Sequence, residues 1–382
     1  MITESLSFKP SDEQGLLLDS AERFVRDYTS RHAIAAIESR AEPFDRSLWH
    51  QLAELGWLAL ATGEEFGGLG GSAGDIAVLM RGLGPAMLRE PLISSSVLAT
   101  TLIERVAPEV GRDLLEKAAI GEVVFAVAHE EFAPNAPESV IASPKGQGFS
   151  LSGASLACWN APDADTLLVL TRMAGSHALA LFLVEAGAAG LSLDSYGLID
   201  GSTAADLIFA DVEVDQASLL GSGPKVEAAF GEAVDKAIIA HSAKIVGILR
   251  ATLDQTSEYL KTREQFGGPL SRFQALQHRI AEMFVQFQDA TAALEFAVRA
   301  FDGGCPIERQ MLVSAAKVVI AEAARYIGAQ SIQLHGGIGV TEEYQVGHYH
   351  RNILLFEKMY GDTGFHMSRY EQSIAVRLND DR

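Results

Sequence analysis

Over the first third of the chain, apolar residues recur at helical spacing. Leu17, Ala21, Phe24 and Tyr28 fall on one helical face, and Ser11 with Gln14 three places on has the form of a capping box that would start that helix. The stretch LWHQLAELGWLAL predicts a second amphipathic helix, closed by a glycine-rich turn from Glu64 to Gly71, and GDIAVLMRGLG and LISSSVLATTLIERVA predict two more. From about residue 121 the period shortens. VVFAVAH, FSLSGASLACW, TLLVLTR, ALALFLVE and ADLIFADVEV are β-rich runs parted by Gly, Pro, Asp and Ser clusters, at spacings typical of an antiparallel sheet or small barrel. After GSGPKV the helical period returns, with helices predicted at about 232–265, 273–302, 308–334 and 366–378.

This order defines an α+β chain of three domains: helical over 1–120, β over 121–225 and helical again over 226–382. Helices of nearly thirty residues joined by short links imply an up-and-down bundle at the C-terminal end. A chain of 382 residues is too long for one ordinary core, and 48% hydrophobic with 21% charged residues describes a well-packed protein. The formal charge of -20 argues against nucleic acid or an acidic membrane as partner. The start MITESLSFKP lacks the basic-then-apolar pattern of a signal peptide, and no apolar run is long enough to span a membrane. Cys158 and Cys305 form no disulfide framework or CxxC pair, so a reduced, cytoplasmic protein is the expectation.

Two stretches carry candidate chemistry. REQFGG, residues 263–268, closes a predicted helix. Gly267 and Gly268 read as its stop, because glycine takes the left-handed conformation at little steric cost. Arg263, Gln265 and Phe266 add a planar fork, an amide and a ring face at one helix end, groups suited to holding something anionic and flat. QLHGGIGVTEEY, from Gln333 to Tyr344, follows another long helix, and Gly336, Gly337 and Gly339 would let the backbone approach a ligand closely. No strand precedes them, so they are not a Rossmann fingerprint. Each string alone also fits an ordinary helix stop.

Together the pieces resemble the acyl-CoA dehydrogenase family over nearly the full length. The carriers are LAELGWLAL, EEFGGLG, FSLSGASLACWNAPDADTLLV, REQFGGPLSRFQALQHRIAEM and QLHGGIGVTEEYQVGHYHRN, in the family's order and roughly its spacing. The resemblance implies an N-terminal α-helical domain, a middle β-barrel domain and a C-terminal four-helix bundle, with FAD wedged between bundle and barrel at a subunit interface. It implies that Arg263 approaches the FAD pyrophosphate, that Phe266 packs near the cofactor with Gln265 and Gly267 in the same motif, and that Phe273 and Gln274 make further contacts. Gln333, Gly336 and Gly337 would meet the dinucleotide end of a neighbouring subunit's FAD. The family's Trp-Ile-Ser or Trp-Ile-Thr, packed against the flavin, aligns with Ala157, Cys158 and Trp159, leaving Trp159 as the candidate contact there. Its Thr-Glu-Pro aligns with Ala128, His129 and Glu130. An acyl-CoA substrate, an electron-transfer flavoprotein or similar acceptor, and a homo- or hetero-tetramer are implied with it.

The implied reaction removes two hydrogens across Cα and Cβ of an acyl-CoA thioester: a carboxylate takes the Cα proton and flavin N5 accepts hydride from Cβ. Here the sequence departs from the pattern. Common members carry the base as Glu in a turn after the segment matching Arg351 and Asn352, and gap-free counting lands on Tyr360, a poor base near neutrality. The nearby carboxylate is Asp362. A minority of members carry Glu in the first long bundle helix; that position is Ala237, and Asp235 two residues earlier reads as a solvated or N-terminal helix carboxylate. Asp362 is therefore the catalytic candidate.

The ending HYHRNILLFEKMYGDTGFHMSRY is similar to a divergent bacterial branch whose members often work as two unlike subunits, including smaller chains of pimeloyl-CoA-type and steroid-side-chain dehydrogenases. The alternative is thus a flavin-sharing subunit without a complete site. Flavin-dependent oxygen chemistry, or a structural role on the same fold, is the alternative of another class. His348, His350 and His366 invite a metal reading, but residues two apart point away from each other on a helix and no acidic partner has ligand spacing.

Overall fold

A computed structural model describes residues 10–31, 44–129 and 140–380. The chain runs through α1 (Asp12–Arg31), α2 (Arg46–Glu54), α3 (Ala73–Leu83), a π-helix (Leu92–Ala99) passing into α4 (Thr100–Val106), and α5 (Pro108–Ala119). Eight strands follow: β1 (Phe125–Ala128), β2 (Ile141–Lys145), β3 (Gly148–Trp159), β4 (Thr166–Met173), β5 (Leu179–Glu185), β6 (Leu191–Gly197), β7 (Thr203–Asp215) and β8 (Leu219–Ser222). The C-terminal region holds α6 (Pro224–Thr262), α7 (Gln274–Gly303), α8 (Pro306–His335), α9 (Gln345–Lys358) and α10 (Thr363–Asp380). Two compact units emerge: the described parts of Met1–Ala41, Ala73–Leu88 and Ile238–Arg382 form one, and those of Glu42–Ser72 and Arg89–Ala237 the other.

In the mostly helical unit, α1 starts on the expected capping box. The Gln14 N–H donates to Ser11 Oγ and the Ser11 N–H to Gln14 Oε1, each at 3.2 Å. The carboxylate of Asp302 accepts from the Ala73 and Gly74 N–H groups at 2.9 and 3.1 Å, capping α3 with a charge that complements its helix dipole. Glycine decides how closely α3 meets α6. A Cβ on Gly247 would lie 2.1 Å from the Arg81 carbonyl oxygen, so the two backbones touch where only glycine fits.

In the second unit, α2 is shorter than LWHQLAELGWLAL predicts. Gly56 takes φ 77° and its N–H donates to Ala53 O at 2.8 Å, while Trp57 N–H reaches Leu52 O at 3.1 Å. This Schellman pairing ends the helix at Glu54, and the apolar residues beyond it pack from turns. LISSSVLATTLIERVA is helical as expected but opens as a π-helix.

The strands form one sheet in the order β6-β7-β3-β2-β4-β5-β8, with β1 on β4. Both β1 and β2 run parallel to β4, while the other pairs are antiparallel, so the sheet is mixed. Among the described residues no pairing joins β6 to β8. The barrel expected of this domain is thus an open sheet, its core filled by Leu151, Leu167, Val169, Phe182, Leu207 and neighbours. The pattern missed β2, β6 and β8. β2 and β8 are short, and β6 and β8 are edge strands that bury little and so carry a weak signal. It also missed α9, although Val346, Tyr349, Ile353 and Phe356 line its buried face. No helix among the described residues is long and apolar enough to cross a membrane.

Candidate functional site

REQFGG is not a plain helix stop. α6 ends at Thr262, and Glu264–Gln265 (β9) pairs antiparallel with Gly268–Pro269 (β10). Phe266 and Gly267 form the two-residue tip, both with positive φ, 54° and 82°, the pattern of a type I′ turn. Gly267 therefore serves as a hairpin residue, and Gly268 lies in the return strand. Arg272 straps this tip: its guanidinium donates to the carbonyls of Phe266 and, at 3.0 Å, Gly267, and lies 5.0 Å over the Phe273 ring. Phe266 meets Phe273 edge-on at 6.1 Å yet remains 81% exposed. Arg263 is exposed, and its guanidinium has no partner among the described residues. Gln274 is exposed at the first position of α7, and Gln265 is exposed on β9.

The second stretch caps α8. Gln333 is exposed on its last turn, and the Gly336 N–H donates to Ile332 O. Gly336 has φ 66° and ψ -140°, a conformation open essentially to glycine alone. A Cβ at Gly336 or Gly337 would meet nothing within 4 Å, so open space borders this backbone. The two stretches are joined by an aromatic stack that sequence reasoning missed. Tyr259, whose carbonyl accepts the Arg263 N–H at 2.8 Å, stacks on His335 at 4.5 Å and donates its hydroxyl to His335 O at 3.3 Å. Tyr344 packs against His335 at 5.0 Å. The signal was present as aromatic residues one turn before Arg263 and one residue before Gly336. An unpartnered guanidinium, open glycine backbone and exposed amides thus gather at one end of the bundle, a donor set that fits the diphosphate of a dinucleotide.

The turn after α9 holds the catalytic candidate. Tyr360 takes φ 58° and is buried, and Gly361 takes φ 99°. Asp362 is exposed and caps α10: its Oδ1 accepts the Phe365 N–H at 3.0 Å and its carbonyl accepts the His366 N–H at 3.0 Å. His366 is fully buried. Its Nε2 donates to Tyr360 O at 2.9 Å, which leaves Nδ1 to accept from Ser314 Oγ at 3.2 Å. Burial, with the nearby Lys317 charge, pushes its pKa down to about 3. Acidification is therefore expected to destabilise the fold from about pH 6.5 down to about 3, since the unfolded chain takes up this proton first. In a urea series across that range, His366→Gln should flatten the slope; an unchanged slope would place the proton uptake elsewhere.

Lys317, unremarked in the sequence, is buried on α8. Its ammonium donates to the carbonyls of Phe356 and, at 3.0 Å, Met359, and sits 3.6 Å from the Phe356 ring centroid. Burial lowers its pKa to about 7. Asp235, expected in solvent, is buried on α6 at 1% exposure, and Ala237 is buried too. In an amphipathic pattern one carboxylate weighs little against the apolar residues around it, and the run VDKAIIAHSAKIV hid this burial. His348 Nδ1 accepts from Arg351 at 2.8 Å and its Nε2 donates to Glu342 O at 2.8 Å, so both ring nitrogens are used by α9 and the turn before it.

In the sheet unit, Trp159 follows an irregularity between Ser155 and Cys158 at which Ala157 takes φ 49° and donates its N–H to Asp206 at 2.8 Å. The Trp159 indole donates to Ser202 Oγ at 3.2 Å, and Ser202 in turn to Asp200 at 2.7 Å. The Cys158 thiol, pushed up to about 12 by burial, is no nucleophile. Glu130 lies outside the described residues.

Family models of the acyl-CoA dehydrogenase N-terminal domain and C-terminal domain match residues 11–138 and 230–374. The chain belongs to the acyl-CoA dehydrogenase family, an FAD-dependent class of oxidoreductases acting on acyl-CoA. It is 29% identical over 370 residues to mitochondrial isovaleryl-CoA dehydrogenase of Oryza sativa subsp. japonica, covering 92% of this chain and 88% of the other. It is 27% identical over 365 residues to acyl-CoA dehydrogenase IpdE2 of Mycolicibacterium smegmatis, covering 95% and 99%. Among solved structures it resembles the ChsE4-ChsE5 complex from Mycobacterium tuberculosis with a TM-score of 0.87, 25% identity and coverage of 97% and 99%.

Proposed function

We propose that this chain holds FAD through Arg263, the Phe266 hairpin, Phe273, Gln274 and the Gln333–Gly337 loop, and acts in the α,β-dehydrogenation of an acyl-CoA thioester. The observation that carries this reading is the convergence of an unpartnered guanidinium and a glycine-only backbone corner at one end of the bundle. When bound, FAD supplies the two-electron acceptor for the Cβ hydride. Arg263 would neutralise diphosphate charge, and Gly336 and Gly337 would admit the dinucleotide end of a neighbouring subunit's FAD to backbone N–H groups. Asp362 takes the Cα proton: the C–H bond breaks, its electron pair becomes the second bond between Cα and Cβ, and the carboxylate gains an O–H. Trp159, whose indole is held by Ser202, is the flavin contact proposed from the sheet unit. A homo- or hetero-tetramer, the domain limits near 120 and 225, and an electron-transfer flavoprotein or similar acceptor belong to the same proposal.

Arg263→Ala tests the cofactor assignment. Losing a charge-assisted diphosphate contact of about 1.5–3 kcal/mol should weaken FAD retention roughly 10- to 100-fold. Thermal unfolding of the FAD-free protein should not change, because Arg263 has no internal partner to lose. An equal fall in stability of the FAD-free form would make Arg263 structural instead.

A second reading is favoured by one observation: Asp362 already caps α10, and the family's base position is a buried tyrosine. In that reading the chain shares flavin with an unlike subunit that supplies the base, as the two-protein composition of its structural relative suggests. Purification alone and with a neighbouring dehydrogenase-like chain separates the two, because only the first reading gives substrate-reducible flavin from this chain by itself.

A further inference from the structure

We propose that Lys317 is a positioning residue that locks the turn from Met359 to Asp362, and so sets where the Asp362 carboxylate stands. The proposal rests on the reading of Asp362 as base. α9 ends at Lys358, and the last carbonyls of a helix have no partner within it. Here the Lys317 ammonium donates to two of the freed carbonyls, Phe356 O and Met359 O, from a neighbouring helix. His366 takes the next, Tyr360 O, and the Asp362 carbonyl is already within the first turn of α10. From Met359 to Asp362, each carbonyl except that of Gly361 is held by a named donor.

The backbone of this turn needs that restraint. Tyr360 is a bulky residue at φ 58°, and Gly361 follows at φ 99° with Phe365 and His366 closing over it, since a Cβ there would lie 2.4 Å from the Phe365 ring. Such a conformation persists only when its surroundings over-determine it. Lys317 is 1% exposed and packs on the Phe356 ring, so no water can take over its bonds. Lowered to about 7 by burial, the group still keeps two N–H donors when neutral, enough for both carbonyls. A base displaced by roughly 1 Å can lose on the order of 10²-fold in rate, which is the scale on which such a lock matters.

The test compares wild type, Lys317→Met, Lys317→Gln and Asp362→Asn as FAD-loaded proteins. Hydrogen exchange of the segment 359–366 and anaerobic flavin reduction by an acyl-CoA are both read. In Lys317→Met, exchange should speed up in this segment alone, where the Phe365 and His366 N–H groups report on Asp362. Flavin reduction should slow by roughly 10²-fold at saturating substrate with little change in KM. Lys317→Gln, which retains an N–H donor, should recover part of both, and it carries the comparison if the Met variant does not fold. Unchanged exchange in the segment, or faster exchange spread evenly over the bundle, would overturn the proposal. Asp362→Asn separates the premise from the inference: if it reduces flavin at the wild-type rate while Lys317→Met still opens the turn, the base assignment fails and the lock stands.

Discussion

Asp362→Asn should leave a folded, flavin-bound protein whose reduction by acyl-CoA is slower by about 10²- to 10⁴-fold, the usual contribution of a general base. The substitution is clean because of where Asp362 sits. As N-cap of α10 it accepts the Phe365 N–H through Oδ1, and asparagine caps about as well as aspartate, so the helix should keep its start. What is lost is the negative charge and the proton-accepting oxygen. Rapid mixing under anaerobic conditions would read the bleaching of the flavin band directly, and unfolding in urea would verify the intact cap. A wild-type reduction rate would move the base to the buried Asp235 or to a partner chain.

Phe356→Ala should cost about 3–5 kcal/mol, the largest stability effect expected in the bundle. The ring is fully buried on α9, meets His241 edge-on at 5.0 Å and carries the Lys317 ammonium on its face. Removing it leaves a cavity beside a buried cationic group that has lost its ring contact, two penalties at one site. Phe266→Ala is the matching control: that ring is 81% exposed at the hairpin tip, and its loss should hardly change stability while weakening flavin retention. Both belong at one protein concentration with FAD in excess, because ligand and subunit binding shift apparent stability. Equal losses for the two variants would contradict this account of the bundle core.

Long periodic segments were legible in the sequence because burial of one face leaves its mark every third or fourth residue. That is why α1 with its capping box, α7 and α8 fall near their predicted limits. Turn geometry was less legible. Two adjacent glycines after a helix fit both a helix stop and a hairpin, and only the pairing of Gln265 with Gly268 distinguishes them. The candidate cofactor groups could be named from their chemistry and order, but the Tyr259 and His335 stack that unites them joins residues 76 apart in the chain, on two different helices. Lys317 was invisible for a different reason: a lone lysine in an apolar helix reads as a surface residue, and only the free carbonyls ending α9 explain its burial.

The most direct test of the central claim is an anaerobic titration of the purified protein with a saturated acyl-CoA, following the visible flavin spectrum and the thioester product together. The account predicts a yellow protein whose flavin is bleached as one enoyl-CoA forms per flavin reduced. A protein that takes up no FAD, or one whose bound flavin stays oxidised in excess acyl-CoA both alone and with a partner dehydrogenase chain, would contradict it.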